Sequence, residues 1–237
     1  MFSLCIPTID RYDDFLSSYL PKYIENPYVD EIIITDENGN DIKKIVSNLS
    51  SSKLKLYTNG SVLGPFLNKL EACKKASREW IVLMDSDNFA DIDYFKGMQK
   101  YIQSHALSKF CVLSPSWAYP EFDFSHLSNT IITRKNLKQM NARRKKYPTS
   151  TLMNTGNYVV HSHLMKNLDL SRETNIQLSH ACDVIYMNTL FFEQFEQFEF
   201  HVLDIKYTHV VHNGCYATYA TSFKDFNAYV HKRYKKL

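Results

Sequence analysis

The chain has 237 residues, 44% of them apolar, 14% aromatic and 22% charged, which is enough to bury a core without crosslinks. Its 28 Lys and Arg against 25 Asp and Glu leave a formal charge of +3, a balance that excludes a dedicated nucleic-acid binder. Five dispersed cysteines, Cys5, Cys73, Cys111, Cys182 and Cys215, include no CxxC pair and point to reduced thiols, and no apolar run approaches the roughly 20 residues that span a bilayer.

The N-terminus runs directly into an apolar, strand-like segment with no basic leader and no small-residue cleavage site, so the reading is cytoplasmic, with membrane contact peripheral if there is any. Phe2 to Pro7, Glu31 to Asp36, Lys53 to Tyr57 and Trp80 to Asp85 are β-branched apolar runs of strand length. They alternate with helical patterns over Asp13 to Asn26, Asp41 to Ser47, Pro65 to Ala76 and Asp91 to His105. That rhythm predicts an α/β fold with a mostly parallel central sheet and helices on both faces. Each strand ends in polar or turn residues: Thr8 and Asp10, Asp36, Asn59 and Gly60, then Asp85. In open α/β sheets ligands bind beyond the carboxyl ends of the strands, so these tips are expected to share one crevice.

The second half is less regular. Phe110 to Trp117 reads as a strand, Ala118 to Phe124 as an aromatic loop, and Asn136 to Tyr147 as a helix carrying Arg143, Arg144, Lys145 and Lys146. Gly156 to His161 reads as a strand, Cys182 to Phe195 as a helix and Phe200 to Val211 as a strand. No linker rich in Pro, Gly or Ser divides the chain. The expected organisation is one domain over 1–237 that holds a smaller subregion.

The chemistry concentrates in Ile81-Val-Leu-Met-Asp85-Ser-Asp87-Asn88. Two carboxylates two residues apart in extended chain project to one side, where both can face a hard cation. Mn2+ or Mg2+ held by one or two carboxylates and by phosphate oxygens is the usual arrangement for nucleotide substrates. An Asp-Ser-Asp turn can equally cap the helix that follows it.

With these residues in view, the chain resembles the GT-A fold glycosyltransferases, in particular the family-two-like group, which includes small members encoded by large algal DNA viruses. The resemblance covers about the first 100 residues well. Phe2-Ser-Leu-Cys-Ile-Pro7-Thr8 looks like that group's opening strand and Glu31-Ile-Ile-Ile-Thr-Asp36 like its second. Leu63-Gly64-Pro65-Phe-Leu-Asn68-Lys69 looks like the helix start before the metal motif, and Asp85-Ser-Asp87 like its Asp-x-Asp signature. Two positions depart from the pattern: Lys69 follows Asn68 where an Arg-Asn pair is usual, and Asn88 replaces a frequent third acid.

The resemblance implies a single Rossmann-like domain, with a nucleotide-sugar-binding half (1–105) and an acceptor-binding, catalytic half (106–237), and a metal-dependent, inverting transfer of a hexose or deoxyhexose from a UDP-sugar to a hydroxyl of a glycan or glycoprotein, with a host-cytoplasmic location for a viral member; the balanced charge speaks against a nucleic-acid partner. It implies donor contacts from Pro7, Thr8, Asp10, Arg11, Asp36, Gly64, Asn68, Asp85 and Ser86, with Asp85, Asp87 and His212 at the metal. Asp183, in His180-Ala-Cys-Asp183-Val-Ile-Tyr, matches the base at the start of a helix after the acceptor strand. Gly156 and Asn157 resemble the acceptor-pocket segment, and Trp117 offers a face on which a sugar can stack. His209, three residues before His212, reads instead as a residue packed or hydrogen-bonded in the core, and the basic cluster at 143–146 as a partner for the diphosphate or an anionic acceptor, or as a solvated helix face. A sugar nucleotidyltransferase is the runner-up, though the turn Thr8-Ile-Asp10-Arg11 lacks the glycines that a triphosphate loop needs. A non-catalytic glycan-binding module is the third reading.

Overall fold

Strands whose residues are apolar without interruption must be covered on both faces, and the first half of this chain is built that way. Along β2 (Val29–Asp36) Ile32 and Ile34 pack on one face while Ile33 packs on the other, and along β4 (Trp80–Leu83) Val82 and Ile81 divide in the same manner. The structure is a computed structural model that describes residues 1–143, 145–173, 183–212 and 223–237, the side chains of 183 and 223–227 lying outside the description.

The remaining strands are β1 (Phe2–Thr8), β3 (Leu54–Thr58), β5 (Cys111–Tyr119), β6 (Phe122–Asp123), β7 (Thr130–Thr133), β8 (Val159–His161) and β9 (Glu199–Thr208). One sheet runs in the order β3-β2-β1-β4-β8-β5-β9-β7, with β6 paired to β5. The pairs β1/β2, β1/β4, β2/β3 and β5/β9 are parallel, and the short β8 joins the two parallel groups by antiparallel pairing to β4 and β5. The carboxyl ends of β1, β2, β3, β4, β5 and β9 therefore lie along one edge. The chain leaves β1 toward β2 and β3, then returns to β4, so the crevice of the topological switch falls between Thr8 and Asp85.

On one face lie a π-helical turn (Tyr12–Leu16) with α1 (Ser17–Glu25), α2 (Asn40–Asn48) and α4 (Ile92–Ser104); on the other lie α3 (Pro65–Lys74), α6 (Thr149–Thr155), α7 (Ser162–Asn167), α8 (Asp183–Gln194) and α9 (Phe223–Tyr234). Pro65 opens α3 after Gly64 at φ 80°, a left-handed approach that glycine adopts without strain. Asp91 caps α4 by accepting from Tyr94 N at 3.0 Å.

The second half differs from expectation at four places. The aromatic stretch 118–124 is a hairpin, since β5 continues to Tyr119 and Phe122–Asp123 pair back on Trp117 and Ala118. The basic helix shrinks to α5 (Leu137–Ala142), ending before the like-charged run, where neighbouring cations repel and Pro148 follows. Thr130–Thr133 forms a strand on β9, and 149–155 and 162–167 are short helices that carry no clear period. The basic C-terminus is helical: Val230 and Tyr234 are buried, and Arg233 bonds Glu173 and Glu193. The described cysteines, Cys5, Cys73 and Cys111, are free and buried, and no described helix is long and apolar enough to cross a membrane.

Candidate active site

The donor end of the crevice is shaped by a residue that the motif reading missed. Asp41, in the first turn of α2 and buried, accepts from Arg11 N at 2.9 Å, from Tyr12 N at 2.8 Å and from the Thr8 hydroxyl at 2.5 Å. Its carboxylate thereby caps the first helix and fixes the turn after β1. Asp10 stands at φ 52° in that turn, and amide donors from Asn40 and Asn38, each at 3.0 Å, hold its carboxyl below the ordinary range. Asp36 is fully buried and accepts from Asn38 N at 3.2 Å and Ile42 N at 3.1 Å. Asn68 donates to Thr35 O at 3.2 Å and accepts from Asn59 Nδ2 at 3.1 Å. Thr8, Asp36 and Asn68 thus shape the wall from within, Pro7 is buried against Thr35, and Asp10 and the partly exposed Arg11 stand at its rim. Gly64 opens the helix carrying Asn68, whose amide donates to Gly64 O at 2.9 Å.

At the tip of β4 the two carboxylates meet different partners. Asp85 Oδ1 lies 2.6 Å from Lys69 Nζ, and Lys69 itself is only 6% exposed. Asp85 N donates to Asn157 Oδ1 at 2.7 Å, and Asn157 Nδ2 returns a bond to Asp85 Oδ2 at 3.2 Å. Asp87 Oδ2 sits 3.0 Å from His212 Nε2, whose ring packs 5.2 Å from that of Phe15. Burial, and then the charge of Asp85, push the Asp87 carboxyl upward, against the bond and charge of His212. Ser86 is buried between the pair.

Asp85, Asp87 and His212 are at one tip but do not close into a three-ligand cluster; among the described residues no such group of His, Cys, Asp and Glu occurs. The donor set at Asp87 and His212 nonetheless fits a divalent ion. Two ligands in neighbouring positions of an octahedron, each about 2.1 Å from the centre, stand about 3 Å apart, and that is the spacing of this oxygen and nitrogen.

Asn157 and Gly156, assigned from sequence to the acceptor, sit at the tip of β4 instead, with Asn157 bonded to Asp85. Asn157 is buried at φ 55° and both ends of its amide are spent on the chain, while Gly156 at φ 62° faces Val184 of α8. The signal that finds them is the Gly-Asn pair itself, since both residues tolerate positive φ. Asp183 begins α8 beside this turn, and its side chain lies outside the described residues. His209 packs away from Asp85 and Asp87: its amide bonds Tyr119 O at 2.7 Å and its ring meets Phe122. Trp117, on β5, packs edge-on to Tyr119 with centroids 5.1 Å apart. The Arg143 to Lys146 run follows α5 as an exposed turn in its described residues.

The sequence pattern of the family described as glycosyl transferase family 2 matches residues 3–167. No curated protein matches the chain. Among solved structures, S. aureus TarS (residues 1–349) with UDP is 15% identical over 98% of this chain and 64% of that one, with a TM-score of 0.61. The same protein with UDP-GlcNAc gives 15% identity, 98% and 66% coverage and a TM-score of 0.63. Glucosyl-3-phosphoglycerate synthase from Mycobacterium tuberculosis, in complex with Mn2+, UDP-glucose and phosphoglyceric acid, is 12% identical over 99% of this chain and 80% of that one, with a TM-score of 0.61. The chain thus spans about two thirds of the S. aureus structure, and at these identities the likeness is one of fold.

Proposed function

The chain belongs to glycosyl transferase family 2, and on that premise we propose that it transfers a hexose or deoxyhexose from a UDP-sugar, with Mn2+ or Mg2+, to a hydroxyl of a glycan or glycoprotein, inverting the anomeric centre. The observation that carries the reading is the Asp87–His212 contact at 3.0 Å on the strand tip that faces the nucleotide crevice. A divalent ion bound there supplies neutralising charge for the departing diphosphate.

The chain's own residues have separable tasks in this reading. Asp87 and His212 hold the ion. Lys69 neutralises Asp85 and, with Asn157, fixes its direction, so that the carboxylate serves as an oriented acceptor for the donor instead of drifting into solvent. Asp41 rigidifies the β1 turn under the nucleoside. Asp183, at the start of α8, takes the proton from the attacking hydroxyl. The nucleotidyltransferase reading is disfavoured by the same turn: the amides of Arg11 and Tyr12 that would cradle a triphosphate are already given to Asp41.

The test is hydrolysis of a panel of UDP-sugars with Mn2+. One donor should release UDP slowly without an acceptor, and Asp87→Asn should lower that rate by about a hundred-fold or more. Asp183→Asn should abolish transfer while Mn2+-dependent UDP binding persists. Metal-independent UDP binding, or full activity of Asp87→Asn, overturns the proposal.

A further inference from the structure

The near-neutral total charge conceals a strong separation. Residues 124–168 contain eight Lys and Arg and no Asp or Glu, so the rest of the chain holds 20 basic against 25 acidic residues. A single acid-free stretch of that length in a balanced chain concentrates positive charge within it and leaves the rest of the chain net negative.

The fold brings part of that stretch to the open edge of the sheet. Tyr147, which follows the basic run, packs on Phe122 at 5.1 Å and on Phe124 at 6.1 Å. Phe122 and Asp123 pair back onto Ala118 and Trp117. Lys145 and Lys146 are exposed, and Lys145 adds to the bonds from Ser125 that hold the Asp123 carboxyl low. A further cation, Lys206 on β9, lies 5.8 Å from the Trp117 ring and 5.3 Å from that of Tyr119. Tyr119 is 45% exposed, an unusual position for a ring not engaged in the core. Through Phe122 the hairpin touches His209, three residues before His212. Among the described residues, the buried polar side-chain atoms that lack a partner include those of Trp117 and Glu121 in the hairpin and of His209, which packs on Phe122.

Resting on the transferase reading above, we infer that the acceptor is an anionic glycan or polyol, a ring or chain carrying carboxylate or phosphate groups, which lies over Trp117 and Tyr119 with its charges met by Lys206, Lys145 and Lys146. A sugar offers an apolar C–H face to aromatic rings, and cations beside the rings select acceptors that carry negative groups. A membrane surface fits less well, because the exposed large apolar groups on this side are the separated Tyr119 and Ile131.

The inference is tested by calorimetry on the whole protein without donor, using tetragalacturonate, an oligomer of glycerol phosphate, neutral maltotetraose and mixed phosphatidylglycerol–phosphatidylcholine vesicles. At low salt one of the two charged oligomers should bind on the order of ten-fold more tightly than maltotetraose, and the preference should shrink as salt screens it. Lys145→Glu with Lys146→Glu should erase the preference, and the neutral Gln pair should fall between. Tyr119→Ala should weaken charged and neutral oligomers alike, by a few-fold. Equal binding of maltotetraose, an unchanged preference in the Glu pair, or binding to the vesicles alone overturns the inference. Donor hydrolysis by the wild-type protein is followed separately. Charge-selective binding without hydrolysis upholds the anionic-glycan site and removes the transferase reading, whereas hydrolysis without charge selectivity removes only the inference.

Discussion

The two acids of the Asp-Ser-Asp motif, alike in sequence, are made unlike by their neighbours. Asp85 is bound on both oxygens and on its own amide, by Lys69 and Asn157, whereas the Asp87 carboxylate meets the His212 ring. Asn157 is then a positioning residue, and outer partners of this kind typically carry 10–100-fold in metal affinity or activity. Asn157→Ala should lower donor turnover by about ten-fold, measured as UDP release, with the Asp87 and His212 side chains intact; unchanged turnover would reduce Asn157 to a turn residue. A second acid, Glu31, stabilises the fold at the opposite end of the sheet. Burial raises its carboxyl, but bonds from Ser3 Oγ at 2.6 Å, Ser77 N at 2.7 Å and Ser77 Oγ at 2.9 Å, with the charge of Arg78, bring it below the ordinary value. A lowered folded pKa gives stability that is present above the unfolded pKa and lost as pH falls through the folded one. Glu31→Gln should therefore cost about 1 kcal/mol at neutral pH, screened by its partial exposure. In denaturant titrations the difference from wild type should vanish in acid; a constant difference would refute the assignment. At this scale the motif and His212 were legible because their residue types are few. Asp41 and Lys69 were not, because a first-turn acid and a helix lysine look ordinary until the fold sets them against Arg11 N and Asp85.

Elements were readable wherever burial imposes a period. The four strands and four helices of the first half lie within a few residues of their expected positions, since each strand is apolar on both faces and Pro65 and Asp91 mark helix starts. The second half was harder: β7 has four residues and β8 three, and α6 and α7 have seven and six, too short for a period to declare itself. The C-terminal helix was hidden because its buried residues, Val230 and Tyr234, stand among exposed basic residues that blur the helical period. The junction of α6, β8 and α8 gives the clearest element-scale prediction. Gly156 stands at φ 62° and ψ −151°, and a Cβ there would come 3.0 Å from Val184 Cγ2. Gly156→Ala should cost roughly 1–3 kcal/mol and lower the melting temperature by roughly 2–10 °C. Because it displaces both Asn157 and the start of α8, donor turnover should fall as well. Gly60→Ala, with nothing within 4 Å of the added Cβ, should be close to neutral in both readouts.

Over the whole molecule, one sheet carries both halves: the three-residue strand β8 pairs with β4 at Trp80 to Val82 and with β5 at Val112 and Leu113, and Phe89, just past β4, bridges to Thr208 of β9. The donor crevice belongs to the β1, β2 and β4 tips, while His212 reaches Asp87 from beyond β9, on the far side of that joint. A ligand that engages Asp87 and His212 together therefore ties the two parallel groups of strands across β8, and its binding should be felt as global stability. Anything that binds only the folded chain stabilises it by about 2.7 kcal/mol at a hundred times its dissociation constant. For a chain of this size that is a rise in melting temperature of roughly 5–11 °C. UDP with Mn2+ should produce such a rise in a thermal melt, and UDP with EDTA much less. His212→Ala should lose most of the Mn2+-dependent part while melting near wild type without ligand, because its ring is partly exposed. If the rise survives in His212→Ala, the nucleotide is held by the first half alone and the tie across β8 plays no part in binding.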